Sequence, residues 1–219
     1  KDIPRNILDN SYTIVLDSVG AGDGVAILEE EDMYLKLNNK YPFVHPSKHD
    51  KELCDKVSSE SNLVQPANLN SPVQTVIAGH KESVEKVSED ALAAGAKKAV
   101  MLPVSAPFHS ALMKPAEIKL QKELEDTEFH DLSFPVINNI EAKPINKGTE
   151  ARESLVKQVC SPVRWSETMQ CIVDNQIDTV VELGSGKVLS GLMKMFDRNI
   201  KCFQVGDRES LSQTLAALK

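Results

Sequence analysis

Two rhythms of apolar spacing run through the 219 residues. Short β-branched runs alternate with stretches in which apolar residues recur every three or four positions, the pattern of an α/β chain. In the first half, residues 11–19 and 24–29 predict strands on either side of the turn Gly20-Ala21-Gly22-Asp23-Gly24. Leu53 and Val57 at helical spacing predict a helix over 47–59, with Ser47 as its N-cap. Residues 63–69 and 75–78 predict two strands separated by a turn at Asn70-Ser71-Pro72. Val84, Val87 and Ala91 share one face of a helix over 82–94, which Gly95 closes from the C′ position. A strand over 98–104 follows. From Gly24 onward the order is β-α-β-β-α-β, the split βαβ pattern of a ferredoxin-like subdomain.

The second half has a different rhythm. Helices are predicted over 115–125, 150–160, 166–175, 187–196 and 209–218, and strands over 134–140, 179–183 (buried) and 201–205. This alternation suggests a small parallel sheet covered by helices. A boundary near Ser105 divides the chain into a ferredoxin-like subdomain over 20–104 and a second body over 105–219. Residues 30–46, polar with the pairs Tyr41-Pro42 and His45-Pro46, read as an excursion or insertion.

Composition narrows the classes. With 41% hydrophobic, 26% charged and only 5% aromatic residues, the core of a soluble globular protein must rest on Val, Leu, Ile and Ala. The net charge of −7 argues against a nucleic-acid binder, while leaving room for a local basic patch facing an acidic ligand or carrier protein. Cys54, Cys160, Cys171 and Cys202 are scattered, with no C-x-x-C pair, so neither a zinc site nor a disulfide framework is expected. A reduced, cytoplasmic setting fits that usage. No apolar run approaches the roughly 20 residues of a membrane span. The start, Lys1-Asp2-Ile3-Pro4-Arg5, lacks both signal-peptide character and an initiator Met, which fits a processed, trimmed or partial chain. His45 and His49 stand four apart, but Pro46 disfavours a common helical face, and no metal site is expected.

One local run stands out for chemistry: Pro103-Val104-Ser105-Ala106-Pro107-Phe108-His109-Ser110. It places His109 just after a strand, behind a rigid Pro-Phe turn, where α/β proteins build active sites. An imidazole titrates near neutrality and suits general-base work. The residues alone also allow a loop histidine held by structural hydrogen bonds. Gly184-Ser185-Gly186-Lys187 stands at a strand-to-helix junction, where it would pack the chain closely and offer free amides. It lacks the first Gly and the final Ser/Thr of a phosphate-binding loop.

Four blocks then point one way. They are Pro66-Ala67-Asn68-Leu69-Asn70-Ser71-Pro72-Val73-Gln74, Leu102-Pro103-Val104-Ser105-Ala106-Pro107-Phe108-His109-Ser110-Ala111-Leu112-Met113, Ser161-Pro162-Val163-Arg164-Trp165 and Glu182-Leu183-Gly184-Ser185-Gly186-Lys187-Val188-Leu189. In order and spacing, the set resembles the C-terminal part of the malonyl-CoA:acyl carrier protein transacylase family, over about residues 60 to 219. The resemblance implies a ping-pong acyl transfer in fatty acid biosynthesis. A Ser takes malonyl from coenzyme A and the acyl-enzyme passes it to the carrier's phosphopantetheine thiol. No cofactor is implied beyond that coenzyme A thioester substrate, and the partners would be malonyl-CoA and acyl carrier protein.

On this resemblance His109 takes the place of the catalytic base, and Gln158 that of the residue whose backbone carbonyl orients the imidazole. Asn68, Asn70 and Gln74 fall on a pocket-facing strand segment as substrate-lining candidates, or else serve as turn and edge-strand amides. Residues 105–219 become a partial α/β-hydrolase-like acyltransferase core. The sequence departs from the family at three places. It holds no G-x-S-x-G nucleophile elbow, no G-Q-G-S motif for the oxyanion hole, and no Arg aligned with the one that pairs with the malonyl carboxylate. Two readings follow: a fragment or truncated member of the transacylases, or a noncatalytic remnant that binds acyl carrier protein or a complementary chain. If the missing segment normally completes the core, residues 105–219 should expose apolar surface, with a complementary chain, an oligomer or marginal stability of this half as the expected consequence.

Overall fold

In a computed structural model, residues 14–15, 25–29, 47–102 and 106–219 are described. The expected excursion over 30–46 and the turn at 20–24 lie outside them. So do Pro103, Val104 and Ser105 on the approach to His109, and with them the expected boundary at Ser105. The described chain clusters into two compact units, 1–165 and 166–219.

The first unit is built on a four-stranded antiparallel sheet. Its strands are β2 (Val25–Glu29), β3 (Val64–Ser71), β4 (Gln74–Gly79) and β5 (Lys98–Leu102). In space they run β3-β4-β2-β5. Helix α1 (Ser47–Val57) links β2 to β3, and α2 (Lys81–Ala93) links β4 to β5. Both helices pack on the sheet and on each other. The order of elements is the β-α-β-β-α-β expected from the spacing.

Period-2 alternation explains how β4 can be buried on both sides. Ile77, wholly buried, faces the helices in a cluster with Leu53, Cys54, Val64, Val84, Val87 and Ala91. Its neighbours Val76 and Ala78 face the other way and join Ala67. Burying an isoleucine of this kind contributes about 2–3 kcal/mol. Gly79 pairs with Val64 across the β3–β4 ladder. A Cβ there would lie 2.2 Å from the Leu63 carbonyl oxygen, so only glycine allows the approach. Gly95 follows α2 with φ +105, the left-handed closure expected of it.

Strand β3 departs from a regular ladder twice, between Pro66 and Asn68 and between Leu69 and Ser71. It extends through Asn70 and Ser71, so the turn is Pro72-Val73 rather than Asn70-Ser71-Pro72. The shift around Ala67 turns β3 toward a second neighbour. The Val163 amide donates to the Ala67 carbonyl and the Leu69 amide to the Val163 carbonyl, both at 2.8 Å. These bonds make a parallel bridge between Asn68 and Val163.

The remainder of the first unit holds α3 (Lys114–Glu125), preceded by a short 3₁₀ turn over Ala111–Met113, and α4 (Gly148–Gln158), which packs on α3. Strand β1 (Ile14–Val15) runs parallel to β6 (Val136–Ile137), which pairs with β7 (Pro144–Ile145). The strand expected over 134–140 is therefore cut to two residues. The Asn138 side-chain oxygen accepts from the Glu141 amide, and Ala142 turns to φ +52, which folds the chain back into β7.

In the second unit β8 (Thr179–Leu183) and β9 (Lys201–Val205) pair in parallel. Helices α6 (Val188–Phe196) and α7 (Arg208–Ala217) pack on them, and α5 (Trp165–Asp174) begins at the junction. Of the expected parallel sheet only the β8–β9 pair forms among the described residues, since β6 lies in a separate sheet with β1 and β7. Nor is β8 the buried strand its apolar run predicts. None of its residues is buried, and Leu183 is 73% exposed. Among the described residues no helix is long and apolar enough to cross a membrane.

Candidate active site

The residues beyond β5 form a tight turn that fixes one imidazole. The Phe108 amide donates to the Ala106 carbonyl at 2.9 Å, and the Ser110 hydroxyl donates to the Pro107 carbonyl at 2.6 Å. Ser110 is fully buried and the Met113 amide closes onto its carbonyl. Within this turn His109 adopts φ +60, in the left-handed region that a residue with a Cβ enters at a cost of about 1–2 kcal/mol. His109 is also buried, 6% exposed. A strained, buried histidine is a position that surrounding bonds must over-determine.

One of those bonds comes from the end of α4. The carbonyl of Gln158, last residue of that helix, lies 3.1 Å from His109 Nδ1. It is one of the helix's terminal carbonyls, which have no intrahelical partner. Its two lone pairs also serve the Ser161 amide at 3.3 Å. With hydrogen on Nδ1, the ring donates to this carbonyl and leaves Nε2 bare as a base.

The Gln158 side chain approaches the same ring nitrogen, with Nε2 at 3.1 Å, while its Oε1 is buried without a hydrogen-bond partner. A ring nitrogen that carries hydrogen cannot accept from an amide NH₂. The Nδ1–H form therefore calls for the amide turned by 180°, which brings Oε1 to the ring at the expense of the bond that Nε2 makes to the Ser161 carbonyl at 3.4 Å. The backbone carbonyl is indifferent to that turn, so the main chain of Gln158 sets the tautomer.

The strand candidates sit apart from this pair. Asn70 donates through Nδ2 to Gln74 Oε1 at 3.0 Å, so those two amides close the β3–β4 hairpin together. Asn68 lies in the bridge to Val163. Asn68 and Asn70 lie on β3, an edge of its sheet, and Gln74 opens the internal strand β4.

Three features lay outside the sequence reading. Gln65, on β3, reaches the His109 turn with both ends of its amide. No motif marks it, although strand alternation puts it on the face of Ala67 rather than with Val64. Cys160, two residues past Gln158, has its thiol pushed up to about 11, first by burial and then by its hydrogen bond to Glu117. It stays protonated at neutral pH and does not stand in for a serine nucleophile.

The third feature is Glu182. Its carboxylate accepts from the Leu189 amide at 3.2 Å and the Ser190 amide at 2.9 Å, at the N-terminus of α6. Burial works to raise this carboxyl, but the hydrogen bonds from Ser190, Leu189 and Val188 outweigh it and hold it below its ordinary value. This chain's own carboxylate thus occupies the amides just beyond Gly184-Ser185-Gly186-Lys187, at the start of α6. The expectation of close packing there is corrected. A Cβ at Gly184 or Gly186 would meet open space, and their φ values of +132 and +95 are what call for glycine. Among the described residues, no group of three or more His, Cys, Asp or Glu side chains is placed to hold a metal ion.

An α/β chain with a buried imidazole held by a helix-terminal carbonyl invites comparison with acyl-transfer enzymes. The chain belongs to the acyl transferase domain family, which it matches over residues 48–197. Within that family it is 44% identical over 169 residues to the malonyl CoA-acyl carrier protein transacylase of Bacillus subtilis (strain 168). The alignment takes in 77% of this chain and 53% of that protein. The transacylase of Escherichia coli (strain K12) is 45% identical over 137 residues, 63% of this chain and 44% of its own.

Among solved structures, the acyl-carrier-protein S-malonyltransferase of Burkholderia pseudomallei 1710b matches with a TM-score of 0.77 at 36% identity. That match covers 91% of this chain and 60% of the other. A type II PKS acyl-carrier protein in complex with its malonyl-transacylase matches equally well, at 37% identity. The chain spans about half the length of the curated relatives it matches.

Proposed function

We propose that this chain carries the base-bearing part of a malonyl-CoA:acyl carrier protein transacylase of fatty acid biosynthesis. The observation that carries the reading is His109 Nδ1 at 3.1 Å from the Gln158 carbonyl, on a buried ring whose other nitrogen is left to act. In the reaction a serine hydroxyl loses its proton to His109 Nε2 and its oxygen attacks the malonyl thioester carbonyl. The C–S bond breaks and the coenzyme A sulfur leaves with the proton held by the imidazolium. In the second half the carrier's phosphopantetheine thiol gives its proton to the same nitrogen and attacks the malonyl-serine ester. The serine oxygen then recovers the proton. His109 is the catalytic base in both halves, and Gln158 orients it.

Asn68, Asn70 and Gln74 line the approach of the acyl-pantetheine substrate along the β3–β4 hairpin. Residues 20–104 form a ferredoxin-like subdomain, supported by the strand order β3-β4-β2-β5 with two helices on the sheet. Residues 105–219 belong to an α/β-hydrolase-like acyltransferase core. The protein works in the cytoplasm on malonyl-CoA and acyl carrier protein, needing no cofactor. The exposure of Leu183 and Val188, at 73% and 70%, supports a complementary segment, chain or second copy against the second unit.

The test is reconstitution. Supplied with the serine-bearing segment of a relative, the chain transfers malonyl from coenzyme A to holo acyl carrier protein. On its own it gains no malonyl adduct by intact mass. A stable adduct on the isolated chain overturns the claim that its nucleophile lies elsewhere. Absence of transfer in the completed protein favours the remnant that only binds.

A further inference from the structure

We infer that Gln65 is a positioning residue for His109. Its side-chain amide clamps the strained turn in which the imidazole sits and so fixes the ring against the Gln158 carbonyl. The inference rests on the reading of His109 as the base. Gln65 Nε2 donates to the His109 carbonyl at 3.4 Å, and Gln65 Oε1 accepts from the Ala111 amide at 3.1 Å. These two backbone groups belong to the peptide units on either side of the Ser110 Cα. One primary amide thus replaces the two partners that a neighbouring strand would give. A glutamine is suited to this because one end donates and the other accepts.

The need for a clamp is local. His109 holds φ +60, and the left-handed conformation relaxes unless its flanking groups are pinned. The Ser110 hydroxyl pins the turn from inside, through Pro107. Gln65 pins it from the sheet. Strand β3 also holds the other half of the pair, since Ala67 and Leu69 bond both sides of Val163, five residues beyond Gln158. The base and its orienting carbonyl, 49 residues apart in sequence, are therefore registered on one strand: His109 through the Gln65 side chain, Gln158 through the β3 backbone. The irregularity near Ala67 is what lets β3 bond Val163 as well as β4.

The experiment is nuclear magnetic resonance on the full 219-residue chain, reading the His109 ring nitrogens and the exchange rate of the Ala111 amide. Wild type shows a single tautomer with hydrogen on Nδ1 and a slowly exchanging Ala111 amide. Gln65→Leu keeps the volume and removes both bonds. In it the ring nitrogens move toward the averaged values of a free imidazole and Ala111 exchanges on the order of tenfold faster. Gln65→Glu keeps the acceptor for Ala111 and restores its slow exchange, which a residue needed only to fill space would not do.

A folded Gln65→Leu protein with unchanged ring signals and unchanged Ala111 exchange overturns the inference. If Gln65→Leu does not fold, the wild-type Ala111 amide decides: slow exchange supports the clamp, and exchange at the rate of an open chain overturns it. None of these readouts needs acyl transfer. A completed protein that fails to move malonyl would remove the transacylase reading while leaving the clamp result standing.

Discussion

At the scale of single residues, it is the main chain of Gln158 that holds the ring. Because the ring is held by a backbone carbonyl, Gln158→Ala keeps the bond that sets the tautomer. The expected loss of malonyl transfer in the completed protein is within about tenfold, far short of deleting a general base. Steady-state kinetics check this, and a loss as large as that of His109→Ala would move the orienting role to the side chain. His109 was legible in the sequence because it follows a strand inside a family block. Gln65 was not, because its role depends on a contact across 44 residues that no spacing announces. Gln158 was legible only through the resemblance. Nothing in Leu155-Val156-Lys157-Gln158 distinguishes a helix's last carbonyl from any other.

At the scale of elements, glycine and carboxylate positions make the sharpest predictions. Gly79→Ala drives a methyl into the backbone of β3 at Leu63 and Val64. Overpacking of this kind costs about 1–3 kcal/mol. Urea unfolding should read that loss in the midpoint, and an unshifted midpoint would contradict the close approach. Glu182 predicts a pH dependence. Its folded carboxyl is held below the ordinary 4.5, so the folded state binds this proton less readily than the unfolded state. The stabilisation is present above that ordinary value and is lost as pH falls through the depressed one.

Between neutral pH and about pH 3, wild type should therefore lose more stability than Glu182→Gln. Parallel losses in the two proteins would contradict the cap. The apolar periodicity placed nearly every described helix and strand, since the 3.6 and 2.0 repeats are imposed by burial. It failed at 134–140, where Asn138 competes for the backbone and turns the chain. It failed again in judging β8 buried, because a β-branched run reports strand conformation but not what covers it.

At the scale of the whole molecule, the chain aligns with about half of the transacylases it matches. Leu183, Val188 and Met195 are more than half exposed in the second unit, and Leu211 and Leu215 are exposed along α7. The complementary segment, chain or second copy proposed above would cover these residues. Sedimentation of the isolated chain should then depend on concentration, and Leu183→Ser with Val188→Ser should reduce that dependence. A monomer at every concentration would count against it.

The most direct test is of the base itself. In a protein completed with the serine-bearing segment, malonyl transfer from coenzyme A to acyl carrier protein is measured for wild type and His109→Ala. Turnover should fall by about 10²–10⁴-fold in His109→Ala with the fold intact. Turnover equal to wild type in a folded His109→Ala protein would contradict the role of His109 as the base.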